Sequence, residues 1–343
     1  MRSPALRHVL THLVTPLLMC VGMGLAYMGA FVTPEPNHLP VAVVGSGAEA
    51  EALARSVQDE AGGALDVRTV PDRARAVALL ESRDITGAYV PDPGEPEILV
   101  ATAASDMGAM AVEKVFTPVA AARGVPPEVT DVAEPVADDP TGQGLFFLMI
   151  AVSIGSYASV AVLGGVGAPL PMRLRALLTL GVSVVVSGIG ALLAGPVFHL
   201  AHHDLAGIWG LAWLYSAGIL LIGVGLHTFL KRWTTLAMMV LFVMLNFTSS
   251  GGLFRPELQN GFFGSLHAFW NGAGFVEGAR SLLYFDGDGL CRTLWTLAAW
   301  LVAGLAVTAV AGAYERHRAT PASPARRDPA DAAAEEAEEA VGV

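Results

Sequence analysis

The sequence predicts a polytopic α-helical membrane protein of six transmembrane helices, with an extracytoplasmic α/β domain inserted between helices 1 and 2. Three observations carry that expectation. Hydrophobic residues make up 53% of the 343-residue chain and charged residues only 15%, with a mean hydropathy of +0.54; soluble domains average about 25% charged residues. The charges are bunched, which leaves long uncharged stretches. The basic residues fall in alternate connections between those stretches, as expected of cytoplasmic loops.

The charge-free windows define the spans: Arg7 to Glu35, Asp139 to Arg173, Arg175 to Asp204, Asp204 to Lys231, Arg232 to Arg255 and Arg292 to Glu315. Each holds the ~20 residues that a ~30 Å hydrocarbon core requires at 1.5 Å per residue. Arg2 and Arg7 precede span 1, Arg173 and Arg175 follow span 2, Lys231 and Arg232 follow span 4, and Arg316, Arg318, Arg326 and Arg327 follow span 6. The other short loops carry Asp204, Asp286 and Asp288. With six spans, both termini lie in the cytoplasm of a multi-pass plasma-membrane protein. The expected order is a cytoplasmic N-terminus (1–8), helix 1 (9–32), the extracytoplasmic domain (33–139), a five-helix transmembrane domain (140–318) and a disordered cytoplasmic tail (319–343). Span 1 has the basic start of a signal peptide, but its apolar run is too long and Ala26-Tyr27-Met28 is a poor cleavage context, so it reads as an uncleaved anchor.

Residues 33–139 hold 19 Asp plus Glu against 7 Lys plus Arg. The segment alternates strand-like and helix-like stretches. Strands are expected at 39–45, 65–70, 87–90, 97–101 and 128–133, and helices at 48–60, 72–82 and 106–122. Asp72 suits an N-cap, and Pro91-Asp-Pro-Gly94 a turn. Such alternation implies βαβ units and a mostly parallel sheet. Gly45-Ser46-Gly47 reads as a turn rather than a phosphate loop, and the scattered carboxylates as a solvated face.

The least ordinary stretch runs from Asn246 to Leu290. Spans 5 and 6 meet on one side of the membrane, so the residues between them start and end on the same face. Yet Phe262, Phe263, Leu266, Phe269 and Trp270 form an apolar stripe, and Phe275, Val276, Leu282 and Leu283 another. Two short amphipathic helices at about 255–285, lying in the outer interface or dipping in as a re-entrant pair, satisfy both facts. Gly251, Gly252 and Pro256 supply the break, and Asn246, Thr248, Ser249 and Ser250 can satisfy freed backbone groups. Glu277 and Arg280 lie three apart and can pair on a helix surface.

Other features exclude more than they assign. The net charge of −11 argues against nucleic acid as a partner. Cys20 and Cys291 sit at different membrane depths and are not expected to pair. His199, His202, His203 and Asp204 lack a cysteine or second carboxylate nearby and read as an interfacial polar loop, not a metal site. Within the spans only histidines are ionisable, which argues against an ion-coupled transporter. No catalytic residues, cofactor site or metal site are expected.

The order of these parts, with several short motifs, resembles the ABC-2 type transporter permease superfamily, and within it the YhgE/Pip-like branch. The likeness rests on Leu39-Pro-Val-Ala-Val-Val, on Ala74 to Val90, and on Ile154-Gly155-Ser156-Tyr157, where serine replaces a glycine. It rests further on Ser250-Gly251-Gly252-Leu253-Phe254-Arg255-Pro256-Glu257, where Arg255 precedes the proline, and on Gly278-Ala279-Arg280. The resemblance implies the membrane subunit of an exporter, not itself an enzyme. A separate ATP-binding cassette chain would hydrolyse ATP, and two permease copies, identical or different, would form the pathway in the lipid bilayer. Asn246, Ser250, Gly251, Gly252, Pro256, Glu257, Glu277 and Arg280 are then the pathway candidates. Arg173 and Arg175, with the amphipathic N-terminus (Arg2–His8), are the coupling-surface candidates. The alternative is a stand-alone surface protein of the same branch, a phage receptor or secretion scaffold without an ATPase.

Overall fold

The computed structural model describes residues 4–319 of the chain. Five helical stretches are long and apolar enough to cross a membrane: Leu13–Phe31, Gly144–Val166, Met172–Val197, Leu205–Ser249 and Leu290–Arg318. A small sheet lies between the first and second. This is the architecture of a polytopic helical membrane protein carrying an α/β unit.

Helix α1 (Pro4–Phe31) leads to the sheet, whose strands are β1 (Leu39–Val44), β2 (Leu65–Val70), β3 (Gly87–Val90), β4 (Glu97–Val100) and β5 (Glu128–Asp131). Their order is β2-β1-β3-β4-β5. Pairing is parallel except between β3 and β4, which form an antiparallel hairpin. The crossovers are α2 (Ala48–Ala61), α3 (Arg73–Glu81) and α4 (Asp106–Ala121). Local chemistry sets the boundaries. Asp72 Oδ1 accepts from Arg75 N at 2.8 Å and starts α3, and Ser105 caps α4 through Gly108 N. Asp92 Oδ1 accepts from Gly94 N and Glu95 N and closes the hairpin turn.

Strand alternation divides the core into two layers. Leu39, Val41, Val43, Tyr89, Ile98 and Val100 pack with α2 and α4, where the Tyr89 and Phe116 rings stack at 5.4 Å. Ala42, Val44, Ala88 and Leu99 pack on the other face with Leu79 and Leu80 of α3. Both layers take in residues from far along the chain. Leu258 and Phe254 join the first, and Phe285 and Tyr284 join the second. The α/β unit is therefore gripped from both sheet faces by the segment that follows residue 250.

The helical part is built on α7 (Leu205–Leu230), which is packed against α5 (Gly144–Ala161), α6 (Met172–Leu192) and α12 (Leu290–Ala319). Small and hydroxyl side chains allow the approach. Ser156 Oγ lies 2.8 Å from Ser216 Oγ, and Ser153 bonds Tyr215. The 45-residue stretch Leu205–Ser249 covers two of the expected spans. A straight helix of that length would run about 68 Å. Instead Lys231 takes φ 49°, and α8 (Thr234–Met239), a π turn and α9 (Leu245–Ser249) fold back beside α7. Asn246 of α9 donates to the Tyr215 hydroxyl of α7, which only a reversal permits. The π turns at Val162–Val166, Leu193–Val197 and Val240–Met244 have no counterpart in the sequence reading.

Candidate functional site

The chain breaks at the end of α9. Thr248 Oγ1 donates to Met244 O at 2.7 Å, Ser249 Oγ to Leu245 O at 2.6 Å and Ser250 Oγ to Phe247 O at 3.0 Å. These hydroxyls occupy the last carbonyls of a helix that stops inside the protein. Gly251 follows at φ 74°, with no room for a side chain, since a Cβ there would lie 2.6 Å from His267 Cε1.

The returning segment forms α10 (Gly261–His267) and α11 (Asn271–Tyr284). Asn260 caps α10, accepting from Phe262 N and Phe263 N, and donates to Gly29 O of α1 at 2.8 Å. The two expected short helices exist, and of the two placements open to them α11 does not lie on a surface but is packed among the other helices. Asn271 to Val276 and Gly278 to Ser281 are buried, and the helix packs against α5, α7, α9 and α12. Its many small residues explain this, because they let neighbouring helices approach on every side. Asn246 ties α11 to α9 by accepting from Gly272 N at 2.6 Å.

The charges gather above this helix pair. Glu277 Oε1 lies 2.8 Å from Arg280 Nη1, and Glu277 Oε2 lies 2.9 Å from Arg83 Nη1. Arg280 is 4% exposed and also donates to Gly251 O at 2.9 Å, and to Gly252 O. The surface pair expected of Glu277 and Arg280 is therefore corrected to a cluster around the buried Arg280, with Glu277 partly buried and a third member, also partly buried. That member comes from the α/β unit. Arg83 leaves the end of α3 with φ 62°, donates to Ser281 Oγ at 2.7 Å and Asp288 O at 2.8 Å, and lies 5.0 Å over the Phe285 ring. Beside it Arg255 pairs with Glu257 at 3.2 Å, and Glu257 O accepts from Asn37 N.

Burial opposes ionisation of Glu277, but Arg280, His267 and Arg83 together hold its carboxyl down at about 2. Burial opposes ionisation of Glu257 too, and the Arg255 charge keeps it below the usual range. Burial pushes the His267 ring below its ordinary value, although Glu277 pulls the other way. Its Nδ1 faces Ser249 O at 3.0 Å, so the proton sits on Nδ1. A pH dependence follows. Unfolded His267 takes a proton below its ordinary value of 6.5, while the folded ring resists it, so stability falls as pH drops through that range. Glu277 contributes stability in full above 4.5 and loses it as pH falls toward about 2. Thermal unfolding in detergent should therefore be flat from pH 9 to 7 and decline below. His267→Gln should flatten the first part of the decline, and an unchanged profile in that variant would contradict the assignment.

Between the α/β unit and the helix pair lies a cleft of about 440 Å³. Arg83, Arg255, Glu257, His267, Glu277 and Arg292 line it. Of the expected pathway residues, Pro256, Glu257 and Glu277 reach the cleft. Gly251 lies beneath it, under His267 and Glu277. Arg280 is behind it, and Asn246, Ser250 and Gly252 support the helix break. Sequence reasoning missed Arg83, Arg255, His267 and Arg292. The only available signal was that arginines 255, 280 and 292 stand where the loops were expected to be poor in basic residues.

The coupling-surface residues divide. Arg173 is exposed. Arg175 is 2% exposed and is paired with Glu315, which also accepts from Thr228 Oγ1 at 2.9 Å. The expectation that Arg175 offers a docking charge is corrected, because its guanidinium is spent inside the protein. Arg2 and the tail beyond residue 319 lie outside the described residues, as does the side chain of Arg7. Since Glu315 is a third exposed and Arg175 is not, the two deletions should differ. Glu315→Ala strands a buried cation and should cost about 3 kcal/mol, whereas Arg175→Ala leaves a carboxylate that water can reach and should cost less. Equal losses in thermal unfolding would contradict this. His202 lies 3.6 Å from Asp138, and the described residues contain no group of three donors placed for a metal.

Compared with protein-family models, curated proteins and solved structures, the chain finds no match.

Proposed function

We propose that this chain is the membrane permease subunit of an ATP-driven exporter of the ABC-2 type, acting with a separate ATP-binding subunit and a second permease copy. In this reading it crosses the plasma membrane six times, with the Leu205–Ser249 stretch counted as two crossings and both termini in the cytoplasm. The α/β unit then stands outside the cell. One observation supports the reading above the rest. A broken helix pair, α10 and α11, is held inside the helical part between α9 and α12, and its charged end is tied to the α/β unit by Arg83 and Glu277. A segment so placed joins an external domain to the helices that would form a pathway, as the family resemblance implies. The chain itself performs no covalent chemistry. The test is isolation from native membranes in mild detergent. An ATPase subunit should co-purify in fixed ratio, and its reproducible absence would count against the proposal.

A second reading is favoured by the burial of Arg175, which removes one of the candidate contacts for an ATPase. The chain would then be a stand-alone surface protein, a phage receptor or secretion scaffold, that presents the acidic α/β unit. Deleting residues 39–131 should in that case abolish surface binding and leave efflux untouched.

A further inference from the structure

The charged cleft does not end at Glu277. An apolar groove of about 600 Å³ begins beside it, and the two hollows share Ala268, Arg292 and Thr296. The groove follows one face of α12, where Arg292, Thr296, Ala299 and Ala303 recur at helical spacing. Phe269 and Trp300 form its other wall. That wall is fixed in place: Trp300 Nε1 donates to Phe269 O at 2.8 Å, and its ring lies 5.3 Å from that of Trp270. The rise from Arg292 to Ala303 is about 16 Å, roughly half of a ~30 Å hydrocarbon core, which is the depth of one leaflet.

The charge at the groove mouth completes the picture. Arg83 and Arg280 are engaged by Glu277, and Arg255 by Glu257. Arg292 is exposed and pairs with no carboxylate among the described residues. A guanidinium at the edge of a span attracts the phosphate of an anionic lipid and can hold it with two parallel hydrogen bonds. A soluble anion would meet Arg292 but leave the groove empty, and an uncharged lipid would fill the groove but leave Arg292 without a counter-ion.

We infer that this surface is a binding site for one anionic glycerophospholipid, its phosphate on Arg292 and one acyl chain along Ala299 and Ala303. The site needs only that α12 crosses a membrane, so it stands apart from the export reading. The test is native mass spectrometry of the full chain in detergent, titrated with dioleoylphosphatidylglycerol, dioleoylphosphatidylcholine or glycerophosphoglycerol, the headgroup without chains. The anionic lipid should be retained about tenfold more tightly than the zwitterionic one. Arg292→Gln should erase that preference and Arg292→Lys keep most of it. Ala303→Phe should weaken both lipids by filling the groove. Arg292 and Ala303 are both exposed, so these variants should keep the parent's unfolding temperature without lipid. Should Arg292→Gln not fold, the other two variants carry the comparison. Equal retention of the two lipids by the parent would overturn the inference, as would a preference that survives Arg292→Gln. Headgroup binding as tight as that of the whole lipid would overturn it in favour of a soluble-anion site.

Discussion

Glu277→Ala should cost about 3 kcal/mol of stability, the largest loss expected from any single change in the cleft. Glu277 is the sole carboxylate bonded to both Arg83 and Arg280 among the described residues. Without it two guanidinium groups face each other, and Arg280, at 4% exposure, cannot turn to water. Its Nε already lacks a partner, so the remaining bonds to Gly251 O and Gly252 O would carry the whole charge. The uncompensated charge, not the lost contact, makes this change severe. Arg83→Ala should be milder, because Glu277 keeps Arg280, but its effect should be local to the junction. The α/β unit loses its ion-pair link to α11 and keeps its apolar contacts through Leu258 and Phe285. Thermal unfolding in detergent measures the first effect. Limited proteolysis in the connection between β5 and α5 measures the second. A loss below about 0.5 kcal/mol for Glu277→Ala would mean that the cluster is not the structural link it is taken to be.

Asn246→Leu should cost about 2 kcal/mol by a different route. Asn246 is fully buried and joins three elements: its amide donates to the Tyr215 hydroxyl of α7, and its carbonyl accepts from Gly272 N of α11. Leucine has similar bulk but strips Gly272 N of its acceptor and leaves the Tyr215 hydroxyl to Ser153 alone, at about 1 kcal/mol for each lost bond in a helical membrane setting. The close fit supports this route, since a Cβ on Gly272 would lie 2.5 Å from Asn246 Oδ1. Gly272→Ala should therefore displace Asn246 and lose much of the same energy. The double variant should lose less than the sum of the two, and strict additivity would show that the residues do not act as a pair.

The architecture was legible where one physical rule acts over a short range. Runs without charge mark the apolar helices, a short apolar run marks β1, and period-two alternation marks β2. Asp72 and Pro91 to Gly94 mark a helix start and a turn, each within four residues. The site was legible only in part. The break after Asn246 announces itself through Ser249, Ser250, Gly251 and Gly252, because a buried helix end needs hydroxyls and a left-handed turn. Arg83 announces nothing. It looks like any helix-terminal arginine, and its partner lies 194 residues later. The burial of α11 was hidden for a related reason. The apolar stripe from Phe275 to Leu283 suggested one apolar face, while Gly272, Gly274, Gly278 and Ala279 bury the rest by being small, which hydropathy does not record. Arg175 failed likewise: a cation next to a span reads as a loop charge until Glu315 is brought beside it.

Both functional readings rest on which side of the membrane the α/β unit occupies. The direct measurement is labelling of intact cells with a membrane-impermeant maleimide. Single cysteines would be introduced at exposed Ser56 and exposed Arg173, after the native Cys20 and Cys291, both exposed and free, are changed to serine. The account predicts that Ser56→Cys is labelled in intact cells and that Arg173→Cys is labelled only after the cells are opened. The reverse pattern, or labelling of both positions in intact cells, would contradict it.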